Sequence, residues 1–295
     1  MTHPNAVICA GRLYCDLVFT GLDATPAGGR EVFAEALDMR AGGGAFITAA
    51  YLSQQGIAAR LVATLPAAPF DQFVETEINA AGIGMLCSAP HPADAPQITV
   101  AYPQDGDRAF LTRRVGAAIP NLTKLPKAKH LHIGELTTAL EHPKLIAQAR
   151  AAGMTISLDC AWDGAAFSRR DVGDVIARVD LFFPNAAEYA ELTRHGVVAA
   201  PRRATVMKLG ASGSEYHAKN GAVFAAPAQP TKVRDLTGAG DAFNAGFLSA
   251  WLTGADPEAA LANGNRMGAL AVSQIGGFNP SAAREKSGQL AAARS

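Results

Sequence analysis

Between residues 130 and 210 the chain changes rhythm every ten to twenty residues, and that alternation constrains its fold more than any other feature. Short apolar runs at 130–133, 155–158, 181–183 and 205–209 are separated by helix-compatible segments near 142–151, near 171–178 and from Asn185 onward. A helix between two strands returns the chain to the same end of the sheet, so successive strands run parallel, and a parallel sheet needs cover on both faces. The N-terminal part fits the same plan. Residues 6–10 read as a buried strand ending at Gly11, and Gly42-Gly43-Gly44 opens a helix over 45–55 that stops at Gly56. Residues 60–63 are strand-like, 70–81 carry helical spacing, and the chain from Asp241 is mostly helical, with breaks at Gly254 and Gly276-Gly277. Two stretches interrupt the alternation. Residues 13–40 read as short strands and turns. The runs at 97–102 and 108–112 flank Asp105-Gly106, a hairpin signal. Both are expected in a small β-flap beside the main sheet. No repeat, low-complexity tract or linker divides the chain, so 1–295 is expected to form a single α/β domain.

Composition excludes several functions. The 295 residues hold 26 basic and 26 acidic side chains, a formal net charge of zero, which lacks the positive footprint of nucleic-acid binding. With 49% hydrophobic and 18% charged residues, the chain is too apolar for a disordered interaction protein. No apolar run reaches the roughly 18 residues of a membrane span. The N-terminal residues do not read as a secretory leader. Cys9, Cys15, Cys87 and Cys160 form no C-x-x-C pair, which points to reduced thiols and a cytoplasmic location.

The chemistry concentrates in Asp235-Leu236-Thr237-Gly238-Ala239-Gly240-Asp241-Ala242-Phe243. Gly-Ala-Gly carries almost no side chain, and a helix follows. Successive backbone N–H groups can therefore face one anion at a helix N-terminus, where the helix dipole also favours negative charge. Asp241 falls in the first turn, where a carboxylate can take a proton from a hydroxyl while the amides hold charge on a transferring phosphoryl group. Taken alone, the tripeptide could equally be a glycine turn capped by an aspartate.

The whole segment, D-x-T-G-A-G-D-A-F, resembles the C-terminal signature of the ribokinase-like (PfkB) carbohydrate kinases, and further motifs resemble that family in order along the chain. These are Gly11-x4-Asp16, Gly42-Gly43 fourteen residues before Gly56, Gly106 to Phe110, Pro184-Asn185-Ala186-Ala187-Glu188, Lys208 to Gly213, and Asn265 to Gly276. The resemblance implies a three-layer αβα sandwich with a mostly parallel central sheet. A small β-strand lid would be formed from about 13–40 and 97–116. It implies an ATP- and Mg²⁺-dependent kinase with a small sugar as acceptor. Asp241 would be the base, with Gly238, Ala239 and Gly240 as the anion hole. Asp16 would hold sugar hydroxyls, and Gly42 and Gly43 would let the substrate approach the backbone. Asn185, Lys208, Gly210, Gly213 and Asn265 would border the nucleotide, and Glu188 would organise Mg²⁺, directly or through water. Many members also bind a monovalent cation such as K⁺, here at Asp235, Thr237 and Gly276; the sequence leaves that open. A homodimer through the lid strands is expected from their exposed edges.

Three positions depart from the family pattern. Ile47 stands where an asparagine usually contacts the sugar, Leu236 replaces the usual second residue of its motif, and around Leu158 to Trp162 only Asp159 matches. Trp162 is expected to pack in the core. A phosphorylated sugar as acceptor would need Arg108, Arg113 or Arg114, which their place in the flap leads one to expect in solvent. Glu188, read alone, is a solvated helix residue. His130 and His132 read as structural or near-site residues. No G-x4-G-K-[ST] occurs, and Gly42-x-Gly44 runs into Ile47, so P-loop and dinucleotide folds are disfavoured. Two alternatives stay open. One is a nucleoside acceptor, with Phe46, Ile47 or Trp162 forming an apolar slot. The other is a sugar-responsive binding protein that does not turn over.

Overall fold

The computed structural model describes residues 6–87, 97–104 and 107–279. The chain enters through β1 (Val7–Ala10) and leaves the main sheet for β2 (Tyr14–Leu22) and β3 (Ala34–Gly42). Helix α1 (Gly44–Gln54) brings it back to β4 (Ala59–Val62), and α2 (Asp71–Ala80) leads to β5 (Gly84–Cys87). A second excursion forms β6 (Ile98–Gln104) and β7 (Asp107–Arg113). The alternating segment follows: β8 (His130–Ile133), α3 (Leu136–Glu141), α4 (Leu145–Ala151), β9 (Thr155–Asp159), α5 (Gly164–Phe167), α6 (Val172–Arg178), β10 (Leu181–Phe183), α7 (Ala186–Arg194) and β11 (Ala204–Lys208). After the hairpin of β12 (Ser214–Ala218) and β13 (Val223–Ala226), the long helices α8 (Ala239–Trp251) and α9 (Pro257–Val272) close the chain.

Among the described residues one sheet has nine strands in the order β13-β12-β11-β10-β9-β8-β1-β4-β5. Its seven strands from β11 to β5 are parallel, and β12 and β13 add an antiparallel end. Side chains alternate between two cores, as a parallel sheet covered on both faces requires. In β10, Leu181 and Phe183 join the cluster under α1, α8 and α9, while Phe182 joins the one under α3 to α7. This is a three-layer αβα arrangement.

The second sheet has the order β3-β2-β6-β7, with β2 and β6 parallel and its other two pairings antiparallel. Both interruptions of the alternation meet in it. Residues 13–40 differ from the expected short strands: β2 and β3 are nine residues each, paired from Tyr14–Gly42 to Leu22–Ala34. The length is set by the partner strand, which a strand's own residues do not reveal. Gly106 of the expected hairpin lies outside the described residues. β5, β12 and β13 were not anticipated, although Asn220-Gly221, between the last two, is itself a hairpin signal.

Arg12 joins the two sheets. Its guanidinium is buried and donates to Gln97 Oε1 (2.9 Å), to the carbonyls of Val115 (3.0 Å) and Gly116 (2.8 Å), and to both carboxylate oxygens of Glu141 (2.7 and 2.8 Å). The strand entering β6, the chain leaving β7 and helix α3 thus converge on one side chain.

Candidate active site

Helix α8 starts at Gly238, which takes the left-handed conformation (φ 73°) as N-cap. The turn before it is held by the carboxylate of Asp235, which accepts from Thr237 N (2.9 Å) and Gly276 N (2.8 Å). The Ala239 N–H donates to Leu236 O (3.3 Å) within this turn. The donors at Gly240 and Asp241 belong to the first helical turn, where an α-helix leaves its amides without internal acceptors. Asp241 is the third residue of α8, beside those amides.

The opposite side of the candidate site is built around Gly42 to Gly44, between β3 and α1. A methyl group on Gly42 would come within 2.0 Å of Asp16 Oδ2, and one on Gly44 within 2.7 Å of Asp241 Oδ1. The strip therefore has no side chains because a carboxylate lies close at each end. Gly43, between them, is the N-cap of α1. Thr48 of α1 also donates to Asp241 O (3.2 Å), which ties the two helix starts together. Ile47 is buried, and its Cδ1 lies against Gly277, so this stretch of wall is apolar.

Electrostatics separate the two acids from ordinary surface carboxylates. Burial pushes Asp16 up to about 7, with the Thr99 hydroxyl pulling down and the charge of Asp235 pushing up. Asp241 is held well above the usual range, by burial first, then by Asp159, with Lys208 opposing and Glu188 adding. Lys208 is the counter-charge. Its Nζ donates to Asp159 Oδ1 (2.8 Å) and would stand 3.2 Å from a methyl group on Gly240. Burial alone would lower the lysine, but Asp159 and Glu188 keep it above its ordinary value. Asp159 is fixed by three donors: Lys208, Asn244 Nδ2 (2.7 Å) and the N–H of Cys160 (2.7 Å).

On the other side of Gly240 opens a cavity of about 460 Å³. Lys208, Gly210, Gly213, Ala239, Gly240 and Asn265 line it, together with Leu236 and Phe243. Asn265 also donates to the carbonyls of Ala226 and Pro227 (3.0 Å each), so its amide holds the cavity's edge in place. Asn185 and Glu188 stand beside Lys208, since Asn185 bridges to Lys208 at the end of β11. They form the capping box of α7: Asn185 Oδ1 accepts from Glu188 N (2.9 Å) and Glu188 Oε2 from Asn185 N (2.8 Å).

Several expectations are corrected. Glu188 is only 5% exposed and stands where the charges of Lys208 and Asp159 act on it. Arg108 is not a solvent-exposed flap residue: its side chain is 7% exposed and its Nε lies 3.1 Å from Asp235 Oδ1. Trp162 is 62% exposed rather than in the core and touches the edge of Phe167. In keeping with the structural reading, by contrast, His130 and His132 are buried and linked through Ser157, whose Oγ is 2.7 Å from His130 Nε2 and 2.9 Å from His132 Nδ1. Gly44 and Asn244 were missed as site residues. The triple glycine pointed to the first, whereas nothing in the spacing around Asn244 shows that it reaches Asp159, 85 residues away.

A helix N-terminus able to hold negative charge, with a buried carboxylate beside it that can serve as a base, suits phosphoryl transfer. The family model described as pfkB family carbohydrate kinase matches residues 7–284, and the chain belongs to that family. An ATP-dependent ribose-1-phosphate kinase from Halopiger xanaduensis is 28% identical over 285 residues, spanning 92% of this chain and 93% of the relative. A 2-dehydro-3-deoxygluconokinase from Bacillus subtilis is 28% identical over 62% of the chain and 64% of its own length. Among solved structures, the nucleoside kinase of Methanocaldococcus jannaschii, described as an archaeal member of the ribokinase family, superposes with a TM-score of 0.76. It is 20% identical and covers 92% of this chain and 93% of that one. A putative ribokinase II from E. coli, in complex with ATP and Mg²⁺, also has a TM-score of 0.76. It is 18% identical, with 95% and 98% covered.

Proposed function

We propose that this kinase transfers the terminal phosphoryl group of ATP to a hydroxyl of a small carbohydrate. The observation that carries this reading is the glycine strip at 42–44, bracketed by Asp16 and Asp241, with the nucleotide-sized cavity opening beyond Gly240. The Asp16 carboxylate accepts hydrogen bonds from acceptor hydroxyls, and Asp241 withdraws the proton of the reacting one. As that oxygen bonds to phosphorus and the bond to the ADP oxygen breaks, the Gly238–Gly240 turn and Lys208 hold the equatorial charge.

The residues fit Mg²⁺ as well. Among the described residues no group of three or more His, Cys, Asp or Glu side chains forms a metal cage. Mg²⁺ in phosphoryl transfer needs only one or two carboxylates beside water and phosphate oxygens. Glu188, buried next to Lys208 with one oxygen spent on the cap, would hold it through water, where it would neutralise phosphate charge. The small sheet acts as a lid that excludes water over the acceptor. A second copy pairing through that sheet is the partner we infer, since Leu37 and Leu111 are exposed on it at 51% and 69%. No described helix is long and apolar enough to cross a membrane; a cytoplasmic location is part of this proposal.

ADP release against a panel of acceptors tests the reading. The Halopiger relative puts ribose 1-phosphate first in that panel, and the M. jannaschii neighbour adds nucleosides. With the accepted substrate, Asp241→Asn should lower kcat about 10²- to 10⁴-fold with nucleotide affinity retained. A variant as active as the parent would refute the assignment of the base.

A further inference from the structure

The loop that carries Asp235, Thr237 and Gly276 is where the family resemblance implies a monovalent cation, and the chain's own cations already stand there. Asp235 is 2% exposed, so its charge needs compensation inside the protein. It receives two backbone N–H groups, from Thr237 and Gly276, and the Nε of Arg108 at 3.1 Å. The guanidinium comes from β7, across the small sheet, and its NH1 also reaches Phe19 O of β2 (3.4 Å). A second arginine flanks the same loop: a methyl group on Gly276 would lie 2.9 Å from Arg40 Cγ and 3.7 Å from its Nε. Thr237 Oγ1 is buried without a hydrogen-bond partner, but a neutral hydroxyl adds no charge that would hold another cation beside a guanidinium. The residues present do not fit an additional K⁺. Like charges so close repel strongly in a buried setting, and the carboxylate that would attract the ion is neutralised.

We propose that Arg108 replaces the monovalent cation in this protein. It neutralises Asp235 and thereby fixes the turn that aims the Gly238–Gly240 amides, and the kinase works without K⁺. Arg108 is a positioning residue in this account, acting through Asp235 and not on the phosphoryl group. One consequence is that the cation travels with the lid strand, so the anion site and the small sheet are set together.

The test compares wild type, Arg108→Ala and Arg108→Lys at constant ionic strength, with KCl exchanged for tetramethylammonium chloride. Two quantities are read: kcat and the thermal midpoint. Wild type should give the same values in both salts. Arg108→Ala should lose about tenfold in kcat in the quaternary salt, as expected when one partner of a buried ion pair is truncated. It should recover within about twofold at a K⁺ concentration on the order of 0.1 M, with a parallel rise in thermal midpoint. Arg108→Lys, which keeps the charge, should remain independent of K⁺. A wild-type enzyme whose rate or midpoint depends on K⁺ overturns the proposal. So does an Arg108→Ala variant that is unaffected by the exchange, or one whose loss K⁺ does not restore. If the alanine variant does not fold, the wild-type and lysine proteins still decide the matter. The midpoint does not depend on phosphoryl transfer, so failure here is distinct from failure of the kinase reading.

Discussion

At the scale of single residues, the site depends on carboxylates held where water would not leave them. Asp16 titrates near 7 because it is buried, and this has two opposite consequences. Binding an acceptor through two accepted hydrogen bonds needs the ionised form. The acceptor KM should therefore rise as pH falls from about 8 to 6, while the ATP KM stays level; steady-state kinetics across that range checks it. Stability runs the other way. The folded-state value lies above the unfolded one of about 3.8, so the native state holds a proton more tightly between those values. Its stabilising contribution is present at low pH and lost as pH rises through 7. Asp16→Asn should match wild type near pH 3.5 and exceed it above pH 7, by at most about 4 kcal/mol in thermal denaturation. Asp16, Asp241 and the glycine signature were legible in the sequence because each belongs to a short local pattern. Arg108 meeting Asp235 was not. A strand position shows which face a side chain takes, but not which distant loop that face will meet.

At the scale of elements, the cap of α7 is structural, and on the proposed reading it would also orient Glu188 for Mg²⁺. Asn185 satisfies the third amide of the helix while Glu188 returns the bond, and the same turn holds Glu188 beside Lys208. Asn185→Ala should cost about 1 kcal/mol of stability, a fall of roughly 2–4 °C in thermal midpoint for a chain of this size. It should also raise the Mg²⁺ concentration needed for half-maximal rate, because Glu188 loses its orientation. A stability change with no effect on Mg²⁺ dependence would leave the box purely structural. The longer helices were legible at this scale because their composition and punctuation are local, whereas the short α3 and α5 were not anticipated. Helix α1 was expected over 45–55 and is found at Gly44–Gln54. The strands were less so, since β12 was not anticipated although its partner β11 was recognised.

At the scale of the whole molecule, two sheets with separate strand orders must keep a fixed relation if the proposed acceptor and nucleotide sites are to meet. Arg12 is the joint, with five donated hydrogen bonds that reach both sides of the small sheet's base and helix α3. Arg12→Met should destabilise the protein by about 2–3 kcal/mol, because Gln97 and the carbonyls of Val115 and Gly116 lose a buried charged donor while exposed Glu141 is taken up by water. Limited proteolysis should then cut within the small sheet before the large one. Simultaneous loss of both would mean that the two sheets unfold as one unit.

The distance between the two ends of the glycine strip acts as a ruler. On the proposed reading, hydroxyls anchored at Asp16 would fix where the rest of the acceptor lies, and only an oxygen the right number of bonds away would reach Asp241. The strip would thus govern regiochemistry more than identity. Molecules that differ at their far end can share the site, provided the span between the anchored and the reacting oxygen is the same.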